Sequence, residues 1–424
     1  MDRKKILYLV IAGILVVLLG KTYLQEQQQK KLMDLPLQTI QVSFNGEIAP
    51  NEKLTRRMVK VEALTTSGVT YEVDAYTVDN DQAPEHGASF RVTVAYLGAE
   101  QTIDVPITRT KVVDYSIGYP EQDSVLATVY SNGDLEFSGE GDVLTFDGDQ
   151  VPWRDDEYTH VFFGSAVNVE NMDYWFANNE ELLECQSIPK NVVSMAGTFS
   201  GCTSMQATPE LFRCKELRIL DNAFQDCTAL TKADTLPINV TSAKETFSGC
   251  VSMADAPDLS KAANLQSIDG ICEGCTSMVS APMLPTSVIS MPNAFSGCIN
   301  IHETAPYPAH VEDIREAYKG CIALMTSHPI PETVTRYERC YEGCKSLNGT
   351  LEINTDSEAY NNLLDNAATS GKELKLSGNS GHLIDIQLST AGNNNIILAD
   401  PDQAALQEQR LATELEAAGR TLLG

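Results

Sequence analysis

The chain has 424 residues, 43% of them hydrophobic and 21% charged, a balance found in folded protein and not in disordered polymer. Fifty-eight acidic residues against thirty basic ones give a formal charge of −28, which excludes roles that depend on gripping the phosphate backbone of nucleic acid. The length exceeds what one hydrophobic core ordinarily serves, so several domains are expected.

Residues 1–24 place Arg3, Lys4 and Lys5 before an unbroken apolar run from Ile6 to Leu19. The run lies between a signal-peptide core and a full span in length, Tyr23 and Leu24 extend it, and no small-x-small cleavage site follows. It is read as a retained signal anchor, a transmembrane helix whose basic flank stays in the cytoplasm while the rest of the chain lies outside. Cleavage and secretion is the alternative. No cysteine precedes Cys185 to take a lipid, and no sorting signal or hydrophobic tail closes the sequence. The expected membrane link is therefore this helix.

A polar linker, 25–36, leads into residues 37–110. There Thr39–Phe44, Met58–Ala63, Thr70–Val78, Ser89–Tyr96 and Thr102–Ile107 alternate apolar and polar residues between glycine-containing turns, which predicts a small β-sandwich. The phrases TTSGVTYEV and VTVAYLGAEQTIDV resemble the bacterial immunoglobulin-like domains of surface proteins. That resemblance implies a spacer without a catalytic motif. Residues 111–170 form a further β-rich module, with Asn132-Gly133 as a hairpin signal and thirteen acidic residues facing only Lys111 and Arg154. Asp142, Asp147, Asp149, Asp155 and Asp156 do not fall into a DxDxDG loop, so a solvated acidic surface is expected rather than a calcium site.

From residue 171 to 355 the sequence repeats. Cys202, Cys227, Cys250, Cys275, Cys298, Cys321 and Cys344 follow one another at intervals of 25, 23, 25, 23, 23 and 23 residues, and one unit earlier stands Asn179. Three residues before these positions are Phe176, Phe199, Phe224, Phe247, Cys272, Phe295, Tyr318 and Tyr341; three after are Leu182, Met205, Leu230, Met253, Met278, Ile301, Leu324 and Leu347. A period in the low twenties with fixed apolar places predicts a solenoid of about eight turns, in which equivalent residues stack as internal ladders. The parallel strand is expected just after the cysteine, as in SMVSAPMLP, with proline ending it and a short helix or helical turns returning toward AFSGC.

The ladder cysteines are read as small buried residues with a weak S–H donor. CEGC (Cys272–Cys275) has metal-site spacing but no second pair, and the six histidines match no nucleophile motif. Cys185, Cys214 and Cys340 fall outside the ladder and are expected to be exposed or paired. No GxSxG, HExxH, P-loop or nucleotide fingerprint occurs, so no catalytic, metal or cofactor site is assigned and a non-enzymatic role is expected.

The recurring AFSGCTSM, LP, V and M phrasing resembles the BspA-like leucine-rich-repeat surface proteins of bacteria, as does the order of anchor, immunoglobulin-like module and repeats. The resemblance implies an α/β leucine-rich-repeat solenoid with parallel strands and a cell-surface role in recognition or adhesion toward a host or bacterial protein or glycan. An envelope spacer that self-associates is the alternative. Variable places of the expected strands supply the candidate binding residues His302, Glu303, Tyr307, Met325 and His328. Residues 356–400, with KELKLSG, HLIDIQLS and NNIILAD, read as a C-terminal β cap. Residues 401–424 read as a helix carrying Leu411, Leu415, Ala418 and Leu422 on one face.

Overall fold

A computed structural model describes Leu32, residues 34–400 apart from 74, 149, 391 and 392, and positions 402, 403, 405, 409, 412 and 413. The expected signal anchor, most of the linker and the leucine face of the C-terminal helix lie outside the described residues. Among the described residues no helix is long and apolar enough to cross a membrane. The chain divides into two units, 1–110 and 111–424.

In the first unit, alternation produces β1 (Leu37–Phe44), β2 (Val59–Thr65) and β3 (Thr70–Glu72) as one antiparallel sheet. A second antiparallel sheet holds β4 (Thr77–Asp79), β5 (Ser89–Tyr96) and β6 (Ala99–Pro106). Ile40, Val61, Ala63, Tyr71, Val92, Val94 and Val105 form their common core. The single strand expected over Thr70–Val78 is two strands in different sheets. Tyr71 and Val73 are buried in phase, but the next buried residue is Tyr76, three positions on, and that slip marks the crossing between sheets.

In the second unit, β7 (Lys111–Ser116), β8 (Gly118–Tyr119) and β9 (Val125–Tyr130) precede β10 (Asp134–Gly139), which pairs antiparallel with β9 across the Asn132-Gly133 turn. After β11 (Gly141–Val143) the pairing turns parallel. β12 (His160–Phe163) lies beside β10, β13 (Val167–Asn168) beside β11, and β14 (Glu184–Cys185) beside β12. Residues 111–170 are thus no separate module. Their Phe137, Trp153 and Phe163 pack on Trp175 and Phe176, and one core runs from Ile117 to Leu398.

The repeats form stacked coils, but without the continuous strand expected after each cysteine. Coils meet through isolated parallel bridges, chiefly in two columns, with Ile330↔Ile353 apart from both. One column lies eight residues before the cysteine (Ser194↔Ile219, Ser290↔Asp313, Asp313↔Arg336), the other five after it (Ala207↔Lys232, Glu303↔Thr326). Nor is there a helix in the AFSGC segment of these coils. Its residues five and one before the cysteine take positive φ in every coil, as at Asn293 (55°) and Gly297 (74°), and two left-handed residues per coil break any helix. Alternate N–H groups then point to the next coil: Met195 to Ile219 O (3.0 Å), Gly197 to Asp221 O (2.8 Å), Phe199 to Ala223 O (2.9 Å) and Gly201 to Gln225 O (2.7 Å). The intervening N–H groups close local turns, so a run of turns does the work of a strand.

Beyond residue 355 the repeat continues where its spelling fades. Leu364 and Ala367 take the aromatic and cysteine places, with Asn362 and Asn366 left-handed at φ 57° and 55°. The column five residues after the cysteine becomes true strand in β15 (Gly349–Glu352), β16 (Leu374–Ser377) and β17 (Ile396–Leu398), all parallel. HLIDIQLS, expected as a strand, contains the helix α1 (Leu383–Ser389). Ile384, Ile386 and Leu388 alternate as a strand would, but Leu383 with Ile386 and Ile384 with Leu388 also recur at helical spacing and pack on the core.

Candidate recognition surface

The coil interior explains the outer surface, because it fixes which side chains remain outside. Each ladder cysteine is fully buried and donates its S–H to the carbonyl at the aromatic place one coil earlier. Cys227 reaches Phe199 O at 3.1 Å, Cys250 Phe224 O at 3.2 Å, Cys298 Cys272 O at 3.0 Å and Cys344 Tyr318 O at 3.0 Å. The same carbonyl accepts the cysteine N–H of its own coil, 3.0 Å for Phe199 O, so both lone pairs are used. Asn179 keeps the donor, giving its Nδ2 to Tyr158 O at 3.1 Å. Beside the sulfurs the rings stack, Phe176, Phe199, Phe224 and Phe247 at 5.4 to 5.6 Å and Phe295 on Tyr318 at 5.3 Å.

All eleven cysteines are free and buried, including Cys185, Cys214 and Cys340, which the sequence placed outside the ladder as exposed or paired. Cys340 stands in a further inner column, four residues before Cys344, with Ala317 one coil and Ala294 two coils before it. Cys214 follows the 3-10 turn Leu211–Arg213 that takes up the extra length of a 25-residue unit. Burial pushes the Cys227 thiol up to about 12 and the Cys214 thiol up to about 11, which keeps both protonated near neutrality.

The five candidate binding residues separate. His302, Glu303 and Met325 are exposed on adjoining coils, with Met325 N donating to His302 O at 2.8 Å. His328 is half-buried, and its N–H donates to Thr304 Oγ1 at 2.9 Å. Tyr307 turns inward to a hydroxyl network: its OH meets Tyr341 OH at 2.6 Å, Tyr341 OH meets Ser327 Oγ at 2.5 Å, and Tyr318 OH accepts from Ala305 N at 2.9 Å. Desolvation holds the Tyr307 phenol well above its ordinary range.

The residues missed by sequence reading extend the exposed set. Val251, Ile299 and Ile322, each directly after a ladder cysteine, are exposed, and so are Val279, four residues after Cys275, and Met283, 75% exposed. Coil-to-coil bonds tie the segments that carry them to the next coil: Ser277 N to Val251 O (3.2 Å), His302 N to Val279 O (3.4 Å) and Ala323 N to Ile299 O (3.0 Å). These exposed apolar groups are spread over four adjoining coils, with Thr276 between Val251 and Ile299 and His302 between Val279 and Met325. Part of the signal was present in the repeat, since the place after the cysteine is threonine at Thr203, Thr228 and Thr276 but apolar at Val251, Ile299 and Ile322.

No family model matches the chain, and no curated protein does. Among solved structures, similarity is found to a leucine rich cell surface protein of Faecalibacterium prausnitzii, at 17% identity over 57% of this chain and 95% of that one, TM-score 0.25. A leucine-rich-repeat protein of Bacteroides ovatus is similar at 15% identity over 63% of this chain and 90% of its own, TM-score 0.30. One of Eubacterium ventriosum is similar at 14% identity over 56% and 90%, TM-score 0.25. Likeness at this level carries no functional information.

Proposed function

We propose that the chain is a non-enzymatic bacterial surface protein of the BspA-like leucine-rich-repeat type, held by its N-terminal helix, with an immunoglobulin-like spacer and a solenoid that recognises a protein or glycan on a host or bacterial surface. The exposed apolar side chains Val251, Val279, Met283, Ile299, Ile322 and Met325, spread over four adjoining coils, are the observation that carries this reading. Apolar groups that stay in contact with water in a strongly acidic protein are the natural anchors of an interface, where a few desolvated side chains hold most of the binding energy. His302 stands between Val279 and Met325, and with Glu303 it adds polar contacts. The test is a binding screen of the full chain against matrix proteins, bacterial surface extracts and glycans, repeated with Ile322→Lys and Met325→Glu. Saturable binding that falls at least about tenfold in both variants supports recognition by this face. Binding to nothing, together with concentration-dependent self-association, replaces it by the spacer reading.

A further inference from the structure

The first unit holds a groove for which a spacer has no use. Beside the crossing from β3 to β4, two adjoining concavities of about 290 and 460 Å³ share Arg56, Tyr76 and Thr77. Tyr76 is buried, and its hydroxyl donates to Val59 O (2.9 Å) and Arg56 O (3.1 Å), which fixes the backbone of the 3-10 turn Arg56–Met58. The Arg56 guanidinium lies 5.8 Å from the centroid of the same ring. It is exposed and makes no hydrogen bond or ion pair among the described residues. Asp81, the carboxylate in the lining, is taken by Lys53 at 3.0 Å. Arg56 is thus the cation of the lining, and the carboxylate beside it already has Lys53 as its partner.

The facing wall is apolar. Tyr96 is half-buried there, and Leu97 is 70% exposed at a hairpin turn with φ 47°. A leucine in the left-handed region costs about 1–2 kcal/mol where glycine or asparagine would not, so the turn holds a bulky apolar group out at an energetic loss.

We propose that this groove binds the free C-terminal carboxylate of a peptide ending in an aliphatic or aromatic residue. The planar fork of Arg56 takes both carboxylate oxygens, and the terminal side chain packs on Tyr96 and Leu97. A carboxylated sugar is the poorer fit, because its ring hydroxyls would face mainly carbon, with Thr55 and Thr77 the hydroxyl side chains in the lining apart from the tyrosines.

The test is the fluorescence anisotropy of N-terminally labelled peptides ending in leucine, as free acid and as C-terminal amide, titrated with the full chain. The acid should bind at least about tenfold tighter than the amide, Arg56→Gln should erase that difference, and Arg56→Lys should keep part of it. Leu97→Asn, which suits the turn, should weaken acid and amide alike. Equal binding of acid and amide, binding of neither, an unchanged preference in Arg56→Gln, or displacement by glucuronic acid in preference to the peptide acid overturns the proposal. Met325→Glu should leave these results unchanged, so failure here and failure of the solenoid surface are distinguishable.

Discussion

At the scale of single residues, the cysteine that punctuates each coil is chosen for three properties at once: small volume, apolar character and one weak donor. Removing the donor and the sulfur in Cys250→Ala should cost about 1–2 kcal/mol in urea unfolding, from a lost hydrogen bond and a small cavity. In the folded chain none of the eleven thiols should react with iodoacetamide at pH 8, and all should do so in denaturant; reaction of several in the native state would contradict their burial. The glycine before six of the seven ladder cysteines answers to backbone geometry. At Gly297, φ 74°, an added Cβ would meet Gly274 Cα at an ordinary 3.6 Å, so the expected cost of Gly297→Ala, about 1 kcal/mol or more, is conformational rather than steric. Gly297→Asn should cost less, since Asn178 and Asp226 already occupy this place in other coils. Glu273 tests the electrostatics. Desolvation first, then the nearby Glu245, Asp269 and Glu316, raise its carboxyl above the ordinary 4.5. A raised carboxyl stabilises the fold at and below its unfolded value and loses that contribution as pH rises through the folded value. Glu273→Gln should therefore raise Tm at pH 7 and make no difference below pH 4.5.

At the scale of elements, the coil holds together through columns rather than through secondary structure of its own. Phe224 sits between Phe199 and Phe247 at 5.4 and 5.6 Å, and Phe224→Ala should cost about 3–5 kcal/mol, seen as a lowered urea midpoint. Much of this was legible in the sequence. The period, the inward places and the Asn-Gly hairpin follow from spacing alone, because a side chain that recurs every coil has to stack on its equivalents. The parallel strand after the cysteine shrinks to single bridges in coils such as those of Cys202 and Cys298 and is a true strand in β15 to β17, while the strand at Leu383–Ser389 was misread, since short apolar alternation fits both strand and turn or helix. Tertiary contact decides between them. The ninth coil was missed because Leu364 and Ala367 preserve the function of the aromatic and cysteine places while changing their letters.

At the scale of the whole molecule, two cores imply two unfolding events, one for residues 1–110 and one for 111–424. A chain beginning at residue 111 should fold with the native circular dichroism of the repeats. One beginning at residue 171 should aggregate, because it uncovers Trp175 and Phe176, which Phe137, Trp153 and Phe163 cover. Recovery of a monomeric, cooperatively folded 171–424 would refute the role of residues 111–170 as the first layer of the solenoid.

The sequence by itself determined the repeat, its register and the identity of its inner columns, because periodic burial leaves a periodic trace. It also carried the net charge and the antiparallel pattern of the first unit. Only the tertiary structure decided which exposed side chains adjoin. Coil-to-coil hydrogen bonds set His302 beside Val279 and Met325 beside His302, Tyr307 is drawn inward by Tyr341, and Arg56 meets Tyr76 and Leu97 across a sheet crossing. Surface neighbours are set by how coils and sheets stack, and no period along the chain encodes that distance.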